Sequence, residues 1–212
     1  VMSAQEQKLE HQEMQNTNLR IGRDPKVPSG SQCASSPSRA FAEALIQPQQ
    51  REQLAPCCGG CASGTDVRGW IAVVAQRRKL GLSDREAYFK AWSMVTAVNP
   101  FPATLGRICP HPCESGCNRG DADGPIAINA LERFLGDWAL KLKLPLTRLE
   151  KEPKPESIGV IGAGPAGISF AYQMARRGYR VTIYEKEDKP GGALYYGIPG
   201  YRLPEEILAA EI

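Results

Sequence analysis

The chain has 212 residues, a formal net charge of +3 and 42% hydrophobic residues, with 21 glycines and 17 prolines. This length predicts one or two domains, and the apolar fraction suffices for a core in a loop-rich chain. The near-neutral charge gives nucleic acid no basic surface to bind, and no apolar run is long enough to span a membrane. The N-terminus lacks the apolar segment of a secretory signal peptide, which favours a cytoplasmic protein.

The first part of the chain predicts helices and loops without strands. Residues 1–38 are rich in Gln, Asn and Ser, which predicts a mobile N-terminal arm. Residues 39–143 are expected to form a helical domain. Within it, Asp66 is a candidate N-cap for one helix, and Ser83 with Glu86 forms a capping box for the next.

Two proline-containing segments bound the remaining helices of this domain. Asn99-Pro100-Phe101-Pro102 ends the helix that the capping box begins. Asp123, with Pro125 in the first turn, is expected to open a last helix with an apolar face. The pattern changes after it, because residues 144–156 are rich in Pro, Lys and Glu and predict an interdomain linker.

Beyond the linker, residues 157–212 follow a β-α-β pattern. A strand is predicted over residues 157–161, a helix over 165–177 and a second strand over 179–184. The expected fold class is therefore multidomain, α followed by α/β. The chain stops within a helical pattern that has no C-cap, so we expect only the first part of a Rossmann-like domain.

Six of the seven cysteines lie in two short loops rich in Gly and Pro. They are Cys57, Cys58 and Cys61 in the first loop, and Cys109, Cys113 and Cys117 in the second. Loops of this kind can turn several thiolates toward one point. In a reducing compartment such thiolates bind metal more often than they form disulfides. Soft sulfur ligands select an iron–sulfur cluster or zinc, and the cysteines alone leave both open.

The predicted β-α-β unit carries a dinucleotide-binding signature. Its first turn is the G-x-G-x-x-G run Gly162-Ala163-Gly164-Pro165-Ala166-Gly167, whose glycines allow a tight turn and a close backbone approach to a pyrophosphate. Glu185 closes the second strand, where a carboxylate accepts hydrogen bonds from a ribose. Lys186 follows it, and the pair Gly191-Gly192 would bring a second backbone segment to the diphosphate. This second pair favours FAD as the ligand.

Taken together, these motifs resemble the small subunit of bacterial glutamate synthase and the N-terminal half of dihydropyrimidine dehydrogenase. The resemblance extends over roughly residues 50–212 and keeps the order of the two domains. The motifs that carry it are Cys61-x4-Asp66, Asn99-Pro100-Phe101-Pro102, Cys109 to Cys117 with Asn118-Arg119-Gly120, Gly124-Pro125-Ile126, the G-x-G-x-x-G run, Gly191-Gly192, Tyr196-Gly197-Ile198-Pro199 and Arg202-Leu203-Pro204. It implies an alpha-helical ferredoxin-like domain with [4Fe-4S] clusters, followed by FAD and NAD(P)H domains.

The resemblance also implies ligand sets. Cys61, Cys109, Cys113 and Cys117 would hold one cluster, and Arg202 would lie near the flavin. The family's second cluster usually takes three cysteines and a Gln or Glu, but two of the cysteine positions fall on Gln49 and Glu52 here. Because two clusters need eight ligands, the second set would be Cys33, Cys57, Cys58 and Glu132; the alternative is that this cluster is absent.

The implied function is electron transfer in an NAD(P)H:acceptor oxidoreductase. Electrons would pass between a nicotinamide, FAD and the clusters, to or from a partner redox subunit. That partner would resemble the large subunit of glutamate synthase or a dissimilatory sulfite reductase, and self-association of the chain stays open. One alternative is a structural zinc site, which the adjoining FAD signature disfavours. Another is a non-catalytic electron-transfer or scaffold module of a larger redox complex.

Overall fold

The computed structural model describes residues 54–212, which belong to one compact unit. The predicted N-terminal arm and Cys33 lie outside these described residues. In chain order the elements are α1 (Pro56–Gly59), α2 (Val67–Ala75), α3 (Asp84–Thr96), α4 (Pro102–Ile108), α5 (Pro112–Ser115), a 3-10 turn (Asn118–Asp121), α6 (Ile128–Lys141), β1 (Ser157–Ile161), α7 (Pro165–Arg176), β2 (Arg180–Tyr184), α8 (Ala193–Tyr196) and α9 (Glu205–Glu211). None of the helices in this part of the chain is long and apolar enough to cross a membrane.

The first two long helices begin at the predicted caps. The side chain of Asp66 accepts a hydrogen bond of 2.9 Å from the backbone N–H of Gly69. Ser83 and Glu86 form the complete capping box, in which each side chain accepts a bond from the other residue's backbone N–H. α2 and α3 then pack through a core that includes Trp70, Trp92 and Val95. These sequence predictions are confirmed.

Two glycines allow α4 and α6 to approach closely. A Cβ atom on Gly106 would lie 2.5 Å from the Cα of Arg133, and one on Gly136 would lie 2.3 Å from the backbone nitrogen of Ala103. Such distances are far below van der Waals contact, so any side chain at these positions would push the helices apart. Arg107 adds a two-pronged ion pair to Asp137 across the same contact, at 2.7 and 3.0 Å.

The predicted start of α6 is wrong. Asp123 does not cap this helix, because its carboxylate pairs with Arg119 four residues earlier. Gly124 has a φ of +100°, and the helix begins only at Ile128. The carboxylate of Glu114, in the second cysteine loop, instead accepts a 2.8 Å bond from the backbone N–H of Asn129. The helix is therefore capped from a distant segment.

The β-α-β unit forms as predicted. β1 and β2 pair in parallel, with Ser157 opposite Arg180 and Ile161 opposite Tyr184. α7 crosses between them and packs against the helical part of the chain. Tyr172 in α7 donates a 2.6 Å hydrogen bond to the carbonyl of Thr96, at the end of α3. The coarse expectation of a helical part followed by a small parallel sheet is confirmed.

Candidate functional site

The glycine-rich loop between β1 and α7 has the geometry of a phosphate-binding turn. Gly162 adopts a φ of +94°, which disfavours any residue with a side chain. A Cβ on Gly167 would lie 2.0 Å from the carbonyl oxygen of Gly162, so the helix packs directly on the turn. Gly164 is the N-cap and Pro165 begins the helix. Pro165 has no N–H, so the first backbone donors of α7 are those of Ala166 and Gly167, which have no acceptor within the helix and can bind an anion.

The second glycine pair lies against this first loop. The N–H of Gly191 donates a 2.7 Å bond to the carbonyl of Ala163. A Cβ on Gly192 would lie 2.9 Å from the Cα of Gly164, so only glycine fits without a shift. Gly191 and Gly192 both have positive φ, at 119° and 51°. Two backbone segments that are far apart in sequence thus lie side by side, and we call the surface that they form the glycine surface.

Glu185 fixes the same surface from the end of β2. One oxygen of its carboxylate accepts a 2.6 Å bond from the N–H of Ala163. The other oxygen accepts bonds from the N–H groups of Lys186 and Glu187, at 2.7 and 3.1 Å. These three backbone donors, the bond from Ala163 first, lower the pKa of Glu185 and keep it ionised. The side chain of Lys186 is exposed and faces Glu187 at 3.2 Å.

Two of the four cysteines expected in one set act electrostatically on the thiol of a third, Cys113. Cys113 is buried, and burial followed by the charges of Cys61, Glu114 and Cys109 raises the pKa of its thiol to about 11. The backbone N–H of His111 points at the sulfur of Cys109, at 3.3 Å. His111 itself lies in the left-handed region, with a φ of 46°. The strained turn between Pro110 and Pro112 therefore directs an N–H group at a thiol.

Cys117, the fourth member of this set, lies in a different electrostatic environment. Backbone N–H groups of Ile126 and Arg119 hydrogen-bond its sulfur and lower the pKa of the thiol. N–H donors around a sulfur favour the thiolate form and are among the groups that tune iron–sulfur sites. The Gly124-Pro125-Ile126 segment, which does not cap α6, thus serves as a donor to Cys117.

Three of the residues expected in a second set, Cys57, Cys58 and Glu132, lie within the described part of the chain. Cys57 and Cys58 both lie in α1, where burial and the neighbouring thiol of Cys58 raise the pKa of Cys57. The thiol of Cys58 lies 3.7 Å from a carboxylate oxygen of Asp66. Glu132 is largely buried, which raises its pKa, and it accepts a 2.6 Å bond from the side-chain amide of Asn99.

Within residues 54–212, no three Cys, His, Asp or Glu side chains converge in a geometry that would hold a single metal ion. A cubane cluster is larger than one ion and spreads its ligands more widely. The sulfur donors and the N–H groups that face them suit a soft metal centre. Both ligand sets stay predictions.

Helix α4 connects the cysteine loop to the glycine surface. Phe101, just before the helix, packs with Ala163 of the glycine loop and Ile168 of α7. At the other end, Ile108 packs against a cluster of three buried leucines, Leu194, Leu203 and Leu208. Cys109 comes directly after Ile108. Arg202 donates a 3.4 Å bond to the carbonyl of Ile108, which places it beside the cysteine loop; its place near the flavin stays a prediction.

Residues 50–144 match the family described as dihydropyrimidine dehydrogenase domain II, 4Fe-4S cluster. Residues 50–144 are therefore similar to a dihydropyrimidine dehydrogenase domain II, and we call this part of the chain the domain II. Residues 160–204 match an NAD(P)-binding Rossmann-like domain, which contains the glycine loop, Glu185 and the second glycine pair. The two matches follow each other in the order that the motifs predicted, and the resemblance is confirmed.

Three relatives each match about three quarters of this chain. The chain is 37% identical to the NADP(+)-dependent formate dehydrogenase subunit beta of Moorella thermoacetica, over 74% of this chain and 24% of the relative. It is 32% identical to the glutamate synthase [NADH] of Schizosaccharomyces pombe, over 79% of this chain and 8% of the relative. It is 36% identical to the NAD-dependent dihydropyrimidine dehydrogenase subunit PreT of Escherichia coli, over 74% of this chain and 36% of the relative. The chain thus spans about a third or less of each relative.

Sequence reasoning missed the residues that hold the domain II to the Rossmann-like segment. Glu211 in α9 reaches the start of α4, where its carboxylate accepts bonds of 2.6 and 2.8 Å from the N–H groups of Ala103 and Thr104. Burial raises the pKa of Glu211 to about 7. Arg176 bonds the carbonyls at the end of α3. Neither residue has a local sequence signal, because each contacts a partner that is distant in sequence.

Proposed function

We propose that this chain is the electron-relaying part of an NAD(P)H-dependent iron–sulfur flavoprotein oxidoreductase. The observation that carries the proposal is α4, which begins beside the glycine loop and ends at Cys109. A dinucleotide held on the glycine surface and a cluster held by the cysteine loop would lie at either end of one short helix. The three relatives support this reading, since their names share a nicotinamide dependence.

The chain's own residues would bind and orient both groups. Gly162, Gly164 and Gly167, with Gly191 and Gly192, would form the backbone surface that holds the FAD diphosphate at the N-terminus of α7. Glu185 keeps the loop in place through its bond to Ala163.

Cys61, Cys109, Cys113 and Cys117 would hold the first cluster, and the N–H groups at Cys109 and Cys117 would stabilise it. When bound, FAD exchanges two electrons as a hydride, whereas a [4Fe-4S] cluster exchanges them singly.

We extend the proposal to the setting of the whole protein. A partner redox subunit would exchange electrons with the clusters, and a glutamate synthase-like or sulfite reductase-like partner fits that role. Clustered thiols that bind iron need a reducing compartment, so we place the protein in the cytoplasm. A second cluster would use Cys33, Cys57, Cys58 and Glu132.

The flavin part of the proposal is tested on the intact protein with a pair of matched variants. Gly192→Ala places a methyl group against Gly164, whereas Gly200→Ala in the same segment points into open space. We expect the Gly192 variant to lose bound flavin and NAD(P)H-dependent reduction of a viologen dye, and the Gly200 variant to keep both. Absence of flavin and of this activity in the unmodified protein would favour the scaffold alternative.

A further inference from the structure

A second concave surface lies where the linker meets β2, and we name it the linker cleft. It has a volume of about 390 Å³. Four cationic side chains line it: Arg148, Lys151, Lys154 and Arg180. The described residues that line it include no Asp or Glu. Since the whole chain has a net charge of only +3, this is a local concentration of positive charge.

The walls of the linker cleft are held in place by hydrogen bonds. The N–H groups of Leu149 and Glu150 both donate to the carbonyl of Arg176, at 2.8 and 3.1 Å. Further along, the N–H of Lys154 donates a 2.9 Å bond to the carbonyl of Gly178. The linker is thus fixed against the end of α7. A preformed cleft orders little on binding, which lowers the entropic cost of a ligand.

Apolar groups complete the cleft. Pro153 and Pro155 line one part, and Tyr179 lies under the ammonium of Lys154, which is 4.8 Å from the ring centroid. Apolar walls with a few converging polar groups, at this volume, are typical of small-molecule sites. Glu150, Glu152 and Glu156 alternate with the cations along the linker but are not among the lining residues, and the carboxylate of Glu150 accepts bonds from the N–H groups of Lys151 and Glu152.

The linker cleft is separate from the glycine surface. Gly178, Tyr179 and Arg180 lie at the amino end of β2. The glycine loop follows the carboxyl end of β1, and the two strands are parallel. The cleft therefore lies at the opposite end of the sheet from the phosphate-binding turn.

We propose that the linker cleft binds a phosphate-bearing small molecule, with Arg148 and Arg180 as its principal contacts. A guanidinium group matches two phosphate oxygens at once, and the two lysines add charge without a fixed geometry. The concave shape and small volume favour a small anion over a segment of another protein.

Titration calorimetry of the intact protein with inorganic pyrophosphate tests this proposal. The double variant Arg148→Gln/Arg180→Gln removes two of the four cations, and we expect it to weaken pyrophosphate binding about tenfold. The control Arg78→Gln/Lys79→Gln removes the same charge from exposed positions after α2, outside the cleft. We expect it to bind like the unmodified protein. The unfolding temperature without ligand checks that both variants are folded.

Four results would overturn the proposal. The first is no measurable binding of pyrophosphate to the unmodified protein. The second is equal binding by the cleft variant, which would assign the ion to the glycine loop. The third is equal weakening in the control, which would indicate general charge attraction. The fourth is binding of a hexaglutamate peptide without binding of pyrophosphate, which would assign the cleft to an acidic protein segment.

Discussion

Replacing Arg176 with methionine tests how the Rossmann-like segment is held to the domain II. The guanidinium of Arg176 is 7% exposed and donates 2.9 Å bonds to the carbonyls of Ala97 and Thr147, with a longer bond to Thr96. Ala97 is the C-cap of α3, and the last carbonyls of a helix accept no hydrogen bond from within it. The positive charge therefore lies at the negative end of the helix dipole.

The expected loss of stability follows from these contacts. A hydrogen bond to a charged group contributes about 1.5–3 kcal/mol, and methionine removes two short ones. The aliphatic stem is kept, so little apolar packing is lost. Thr96 retains its bond from Tyr172, which limits the number of carbonyls left without a donor. We therefore expect Arg176→Met to lower the free energy of unfolding by about 3 kcal/mol.

Denaturant unfolding of the intact protein, followed by tryptophan fluorescence, measures this loss. The neighbouring Arg177 supplies the control, because its guanidinium bonds Gln173 of its own helix, α7. We expect Arg177→Met to change the midpoint far less. Equal midpoints for the two variants would refute the view that Arg176 joins the two parts.

Two further predictions concern helix contacts. Gly136→Ala should destabilise the protein because the added methyl group would meet the backbone of Ala103, although alanine normally favours a helix. A lower denaturant midpoint of unfolding for Gly136→Ala than for Gly200→Ala would confirm this. Folding raises the pKa of Glu211 from 4.5 to about 7. Its contribution to the free energy of unfolding is therefore full below pH 4.5 and is lost as the pH rises through 7. The free energy of unfolding should fall by about 3 kcal/mol over this range. Measured from pH 4.5 to 8, it should depend less on pH in Glu211→Gln than in the unmodified protein. The same pH dependence in both proteins would contradict this prediction.

Elements with local signals could be predicted from the sequence. The capping box of Ser83 and Glu86 and the glycine turn after β1 depend on residues within a few positions of each other. Their geometry follows from backbone sterics and orphan N–H groups, which any short segment displays. The family motif Cys61-x4-Asp66 gains a reason here, since Asp66 caps α2.

Contacts between distant segments could not be predicted in the same way. Asp123 satisfies every local rule for an N-cap, yet Arg119 binds it and Glu114 caps α6 instead. Likewise, the roles of Gly106 and Gly136 depend on how closely two helices cross, which neither helix sequence reveals alone.

We propose that Cys61, Cys109, Cys113 and Cys117 together hold one [4Fe-4S] cluster beside the flavin. Iron and flavin content of the intact protein, purified without oxygen, tests this ligand set most directly when the unmodified protein is compared with Cys113→Ser. We expect the variant to lose about four irons per chain and to keep its flavin. About eight irons in the unmodified protein would support the second cluster, and about four would exclude it. Unchanged iron in a folded, flavin-containing Cys113→Ser protein would show that these four cysteines do not hold a cluster.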